Sequence, residues 1–179
     1  MGRAKQLLPL GDKPVIRYCI DTLMHAGVAH IVVVLNSADN GIADSLDDLP
    51  LTIAVNDTPG SDMAESVKTG LKGLGTESPV LICLSDHPLV SPETIRLMVS
   101  EHKAFPASII IPDYEGRRGH PVLFPGPVVS EIFSVPTLRD VVRKDPGRVR
   151  VLTVLDRGVI LDMDTPEDYR IILQQLTKK

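Results

Sequence analysis

No apolar run approaches the roughly 18 residues a membrane span needs, so a transmembrane segment is not expected. Only two cysteines occur, Cys19 and Cys83. Neither has metal-ligand spacing to a partner, so both read as core packing in a reducing compartment. Excess positive charge is missing too: the net charge of −4 argues against nucleic acid as the main partner. Repeats, low-complexity stretches and linkers are absent, and the apolar and charged fractions are those of an ordinary globule. Met1-Gly2-Arg3-Ala4-Lys5 leads straight into an amphipathic stretch without a signal-peptide pattern, so a cytoplasmic location is expected.

What is present is an alternation of strand-length apolar runs with helical patterns, spread over 179 residues that fit one α/β domain. Helices are expected at 13–26, closed by Gly27, and weakly at 41–46. Others are expected at 62–74, after Ser91 as N-cap with Pro92 in the first turn, after Thr137, and after Thr165. Strands are expected at 30–35, 51–55, 80–84, 108–111, 121–124, 151–155 and 159–161, with a polar loop over 113–120. The fold expected is a three-layer, mostly parallel sheet flanked by helices.

Four groups of residues carry candidate chemistry. Asp86 follows the most apolar run. Ligands gather beyond strand ends in open α/β sheets, so it is placed either to hold a divalent cation or to cap the Asp86-His87-Pro88 turn. Asp162 and Asp164 lie two apart in an expected extended segment and so point the same way, with Asp164 equally able to serve the turn into Thr165. Gly2, Arg3 and Lys5 put close backbone approach and two cations ahead of a helix, a combination suited to a triphosphate. Arg117, Arg118 and His120 offer donors for phosphate or carboxylate, although the default reading of such a loop is a surface hairpin with solvated arginines. The basic run over 139–150 reads as a solvated helix and loop.

Taken in order, these segments resemble the MobA-like nucleotidyltransferase family, and within it the molybdenum cofactor cytidylyltransferases. That family opens with a pattern of the form LAAGxSxRMGxxKQLLPxxGxPL, whose second half appears here as Met1 to Pro14. Asn56-Asp57, Glu65-Ser66, Ser85-Asp86-His87-Pro88, Gly116 to Val122 and Asp162-Met163-Asp164-Thr165-Pro166 follow in sequence. The resemblance implies a nucleotide-diphospho-sugar transferase (GT-A, Rossmann-like) fold and an enzyme dependent on Mg²⁺. It implies transfer of a nucleoside monophosphate, CMP from CTP, to a phosphate-bearing acceptor such as molybdopterin, with release of pyrophosphate. Lys5 and Asp86 are the implied catalytic residues, with Gly2, Arg3, Asn56 and Ser66 around the nucleotide. Asp86 with Asp162 or Asp164 would hold the metal, and Arg117, Arg118 and His120 would face the acceptor. A molybdenum enzyme is the implied protein partner. Guanylyl or sugar-phosphate transfer on the same fold, and a non-catalytic accessory protein, are the alternatives.

Two departures stand out. The family usually has glutamine where this chain has His87. The first strand and the glycine-rich half of the loop are absent, and a start placed at an internal methionine is the favoured explanation. The chain as it stands is expected to leave a central strand position empty, exposing apolar faces and unpaired edges.

Overall fold

A computed structural model describes residues 4–37, 41–58, 60, 62–75 and 77–176. Its opening element is a single 3₁₀ turn, Lys5–Leu7, followed by a two-residue ladder of β1 (Pro9–Leu10) against β2 (Lys13–Pro14). That ladder, turning through Gly11 at φ 65°, delays the first helix, so α1 runs Val15–His25 rather than from Lys13. Val15, Ile16 and Ile20 form its buried stripe. The helix ends in a Schellman motif: Gly27 at φ 83° donates to the Met24 carbonyl, and Val28 donates to that of Leu23.

β3 (Val32–Asn36) and β4 (Thr52–Asn56) form a parallel pair in register from Val32↔Thr52 to Asn36↔Asn56. Between them, the weak helix expected at 41–46 is a 3₁₀ turn, Asp44–Leu46. α2 (Met63–Leu74) packs on both strands; its N-cap Asp62 accepts the Glu65 amide at 3.0 Å. Gly70 lets this helix lie close to the sheet, since a Cβ there would sit 2.9 Å from Val34 Cγ2.

The second sheet holds five strands. β5 (Val80–Ile82) pairs antiparallel with β8 (Val122–Phe124), and β8 pairs antiparallel with β6 (Ile109–Tyr114). β6 also pairs antiparallel with β7 (Arg117–Arg118) and parallel with β9 (Val149–Thr153). The sheets are therefore of mixed direction, more so than the helix–strand alternation implies, because the segment read as a polar loop folds back so that β7 and then β8 both pair antiparallel with β6.

Alternation along β6 builds two core layers. Ile109 and Ile111 join Phe124, Val129, Val141 and α2's Leu71, whereas Ile110 meets Leu123 and Met98 of α3 (Pro92–Ala104). α4 (Gly126–Val129) and α5 (Leu138–Lys144) cover the first layer, and α5 is capped by the reciprocal Thr137–Asp140 box. α6 (Pro166–Leu176) closes over Leu10, Val15, Leu89 and Met163. Among the described residues no helix is long and apolar enough to cross a membrane.

The two sheets share no hydrogen-bonded strands. Between β3 and β5 runs a largely apolar cleft of about 400 Å³, lined by Val32 to Asn36, Val80 to Ser85, α1 and α2, with Ala4 and Gln6 at one end. Among the described residues no strand bridges it. Cys83, expected in the core, is exposed because it opens onto this cleft, while Cys19, which also lines it, is half-buried. Burial pushes the Cys19 thiol up to about 12, with the charge of Asp86 adding to the shift, so it stays protonated.

Candidate active site

Lys5 is the centre of the site. The 3₁₀ turn holds its backbone, with the Leu8 amide donating to the Lys5 carbonyl at 3.2 Å and Gln6 Nε2 reaching Ser85 Oγ at 3.3 Å. Its Nζ donates to Asp86 Oδ2 and to Asp164 Oδ1, both at 2.7 Å. Burial, which lowers the lysine, is outweighed by the hydrogen bonds to Asp164 and Asp86, so Lys5 titrates above its ordinary value and stays charged.

Asp86 sits in the turn beyond β5, where the strand end delivers it. Oδ2 belongs to Lys5, but Oδ1 is buried without a partner. His87 Nε2 lies 3.9 Å from that oxygen. His87 is 8 % exposed, and its ring centroid is 5.4 Å from that of His120. The Nδ1 atoms of both rings are buried and unpartnered. Desolvation first, then the neighbouring His87, hold His120 below its ordinary value, against the opposing charges of Asp86 and Asp162. His120 is therefore neutral near pH 7.

The approach of His120 depends on two glycines. A Cβ on Gly119 would lie 2.2 Å from the Val159 carbonyl oxygen, and one on Gly158 would lie 2.3 Å from that of Leu89. The His120 amide then donates to the Val159 carbonyl at 2.8 Å. This packing also corrects the strand expected at 159–161. Asp156 Oδ1 accepts the Gly158 amide at 2.9 Å and turns the chain into a 3₁₀ segment, Arg157–Ile160. The other carboxylate oxygen of Asp156 accepts from the Ser91 amide and from Thr94 Oγ1, both at 2.7 Å. Asp156 thus ties the start of α3 to the segment carrying Asp162 and Asp164. Nothing in its sequence neighbourhood distinguishes it from a surface aspartate.

Met163 is buried while Asp162 and Asp164 are exposed on either side of it. Of the two, Asp164 shares Lys5 with Asp86, and Asp162 lies toward His120. Asn56 and Ser66 are also brought together, Asn56 Nδ2 donating to Ser66 Oγ at 3.3 Å, with Asn56 buried at the end of β4. Arg117 and Arg118 are exposed on the β7 hairpin. Gly2 and Arg3 lie outside the described residues.

A divalent cation fits this cluster. Carboxylate oxygens from two separate segments already converge on one cation, and a buried oxygen of Asp86 has no other partner. Among the described residues no three side chains form a ready-made cage. The remaining ligands would come from substrate phosphates and water, as is usual for Mg²⁺.

A helix-flanked mixed α/β fold in which Lys5 meets Asp86, beyond β5, and Asp164 is that of an α/β nucleotidyltransferase. The chain belongs to the MobA-like NTP transferase domain family, which matches residues 1–152. It is similar to nicotine blue oxidoreductase of Paenarthrobacter nicotinovorans, 27 % identical over 96 % of this chain and 90 % of that protein. Rv0371c of Mycobacterium tuberculosis H37Rv, solved as a manganese complex, superposes with a TM-score of 0.80 at 29 % identity, covering 97 % of this chain and 93 % of that one. A nucleotidyl transferase from Methanothermobacter thermautotroptrophicus, Mth528, shares the fold with a TM-score of 0.84 at 20 % identity, covering 97 % and 85 %.

Proposed function

We propose that this protein is a cytoplasmic Mg²⁺-dependent cytidylyltransferase that moves CMP from CTP onto a phosphate-bearing acceptor of the molybdopterin type, releasing pyrophosphate. The observation that carries this reading is Lys5 held between Asp86 and Asp164, with His120 alongside. An oxygen of the acceptor phosphate bonds to the α-phosphorus as the bond from that phosphorus to the oxygen bridging to the β-phosphate breaks. The acceptor is already ionised near neutral pH, so no strong base is required, and positioning and charge stabilisation dominate.

Asp86, with Asp164 or Asp162, would hold the cation, which when bound supplies charge neutralisation at the reacting phosphates. Lys5 takes charge from the departing pyrophosphate. His120, kept neutral by desolvation, donates or accepts a hydrogen bond toward the acceptor, and Arg117 and Arg118 attract its negative charge. Asn56 at the end of β4 and Ser66 on α2, joined by a hydrogen bond, would face the nucleotide. The choice of CTP over GTP rests on the resemblance of Lys5-Gln6-Leu7-Leu8-Pro9 and Gly119-His120-Pro121 to the cytidylyl branch, and the manganese complex of Rv0371c supports a divalent metal.

Pyrophosphate release from CTP and Mg²⁺ with molybdopterin is the test. Asp86→Ala should slow it by about 10²-fold or more, the scale of a lost preorganised electrostatic group. Turnover unchanged by that substitution overturns the assignment. Similarity to nicotine blue oxidoreductase over nearly the whole chain favours a second reading, an electron-transferring enzyme. Reduction of nicotine blue by an added hydride donor, a reduced nicotinamide nucleotide, without pyrophosphate release would select it.

A further inference from the structure

We propose that Lys5 is a built-in counter-cation that occupies the metal position of the ligand-free protein, so that a divalent cation binds well only together with a nucleoside triphosphate. The inference rests on reading this cluster as a metal–nucleotide site. Its basis is that one ammonium group donates to a carboxylate from each of the two segments expected to ligate metal, at 2.7 Å in both cases. Asp86 and Asp164 come from positions 78 residues apart in the chain and would repel each other at this separation without a cation between them. The ammonium supplies that cation and takes the oxygens a metal would use.

The arrangement is also easy to exchange. The backbone of Lys5 is fixed by its 3₁₀ turn and by the Gln6–Ser85 hydrogen bond, which leaves the four-carbon stem as the moving part. The Asp164 side chain is 64 % exposed, and Asp86 Oδ1 has no partner to lose. A free metal ion must displace the ammonium into water. A triphosphate arriving with the metal draws the ammonium onto its own oxygens and frees both carboxylates in the same event. Metal and nucleotide affinities are then coupled positively and reciprocally through Lys5.

Titration of Mn²⁺ into the whole chain, followed by electron paramagnetic resonance with and without a non-hydrolysable CTP analogue, tests this. For the native protein we expect weak binding of Mn²⁺ alone, strengthened about 10-fold or more by the analogue, within the usual range of coupled sites. Lys5→Met should raise affinity for Mn²⁺ alone by a similar factor and lose most of the coupling. Lys5→Arg, which keeps the charge, should stay weak for Mn²⁺ alone. Thermal melting verifies that each variant is folded. Lys5→Met binding Mn²⁺ no better than the native chain overturns the proposal. If the native chain binds the metal–analogue complex in that case, the nucleotidyltransferase reading survives; if neither protein binds it, that reading fails as well.

Discussion

At the scale of residues, charged groups fall into two kinds: those balanced for structure and those gathered for chemistry. Glu131 is of the first kind. Arg148 grips it with two hydrogen bonds, at 2.6 and 3.1 Å, and Lys144 adds a third, and together they hold its carboxyl down at about 2. The basic run read from sequence as solvated therefore has an internal partner, invisible because Glu131 lies outside it. Arg150 is likewise committed, bonded to Glu101 and stacked 3.3 Å over the Phe105 ring. A carboxyl lowered on folding contributes stability fully above its unfolded value near 4.5, and that contribution is lost as pH falls toward 2. Melting temperatures measured from pH 6 to 3 should therefore fall less steeply in Glu131→Gln than in the native chain. Equal slopes would show that the pair contributes nothing. His120 adds a loss at higher pH: being lowered on folding, its contribution is full above its unfolded value near 6.5 and is lost as pH falls through its depressed value.

At the scale of elements, caps were the most legible feature. Asp62, Ser91 and Thr137 all accept the amides their spacing implies, and Gly27 ends α1. The hairpin at 113–120 was not legible as a strand pair. Its two-residue loop is Glu115-Gly116, with both residues at positive φ, 50° and 81°, where the usual signal is Asn-Gly. Glutamate in that conformation is strained, and the Asp113 carboxylate compensates by accepting the Gly116 amide at 3.0 Å. Glu115→Asn should stabilise the protein by about 0.5–1 kcal/mol, a rise of about 2 °C in Tm. An unchanged or lower Tm contradicts this view of the turn. The segment before Asp162 was misread for a related reason: Val159-Ile160-Leu161 is as apolar as a strand, but Gly158 and Asp156 force a turn that only the contact with Leu89 reveals.

At the scale of the whole molecule, the order of α/β elements and the motifs at strand ends were readable because strand position alone places Asp86 and Asn56 toward one end of the sheets. The pairing of Asp164 rather than Asp162 with Lys5 and Asp86, and the tilted packing of His87 against His120, required the long-range packing of Met163 and Gly119 and left no local trace. The separation of the β3–β4 pair from the larger sheet leaves an apolar cleft with strand edges on both sides. Such a surface should bind the dye ANS with a marked rise in fluorescence while the near-ultraviolet circular dichroism of a packed fold is retained. Absence of dye binding would mean the cleft is closed in solution. The central claim is that Lys5, Asp86 and Asp164 together make a metal–nucleotide site, and it is tested most directly by calorimetric titration of CTP with Mg²⁺ into the native chain and into Asp86→Asn. We predict saturable binding that requires Mg²⁺ and weakens about 10-fold or more in the variant; binding indifferent to both the metal and Asp86, or none in the native chain, would contradict it.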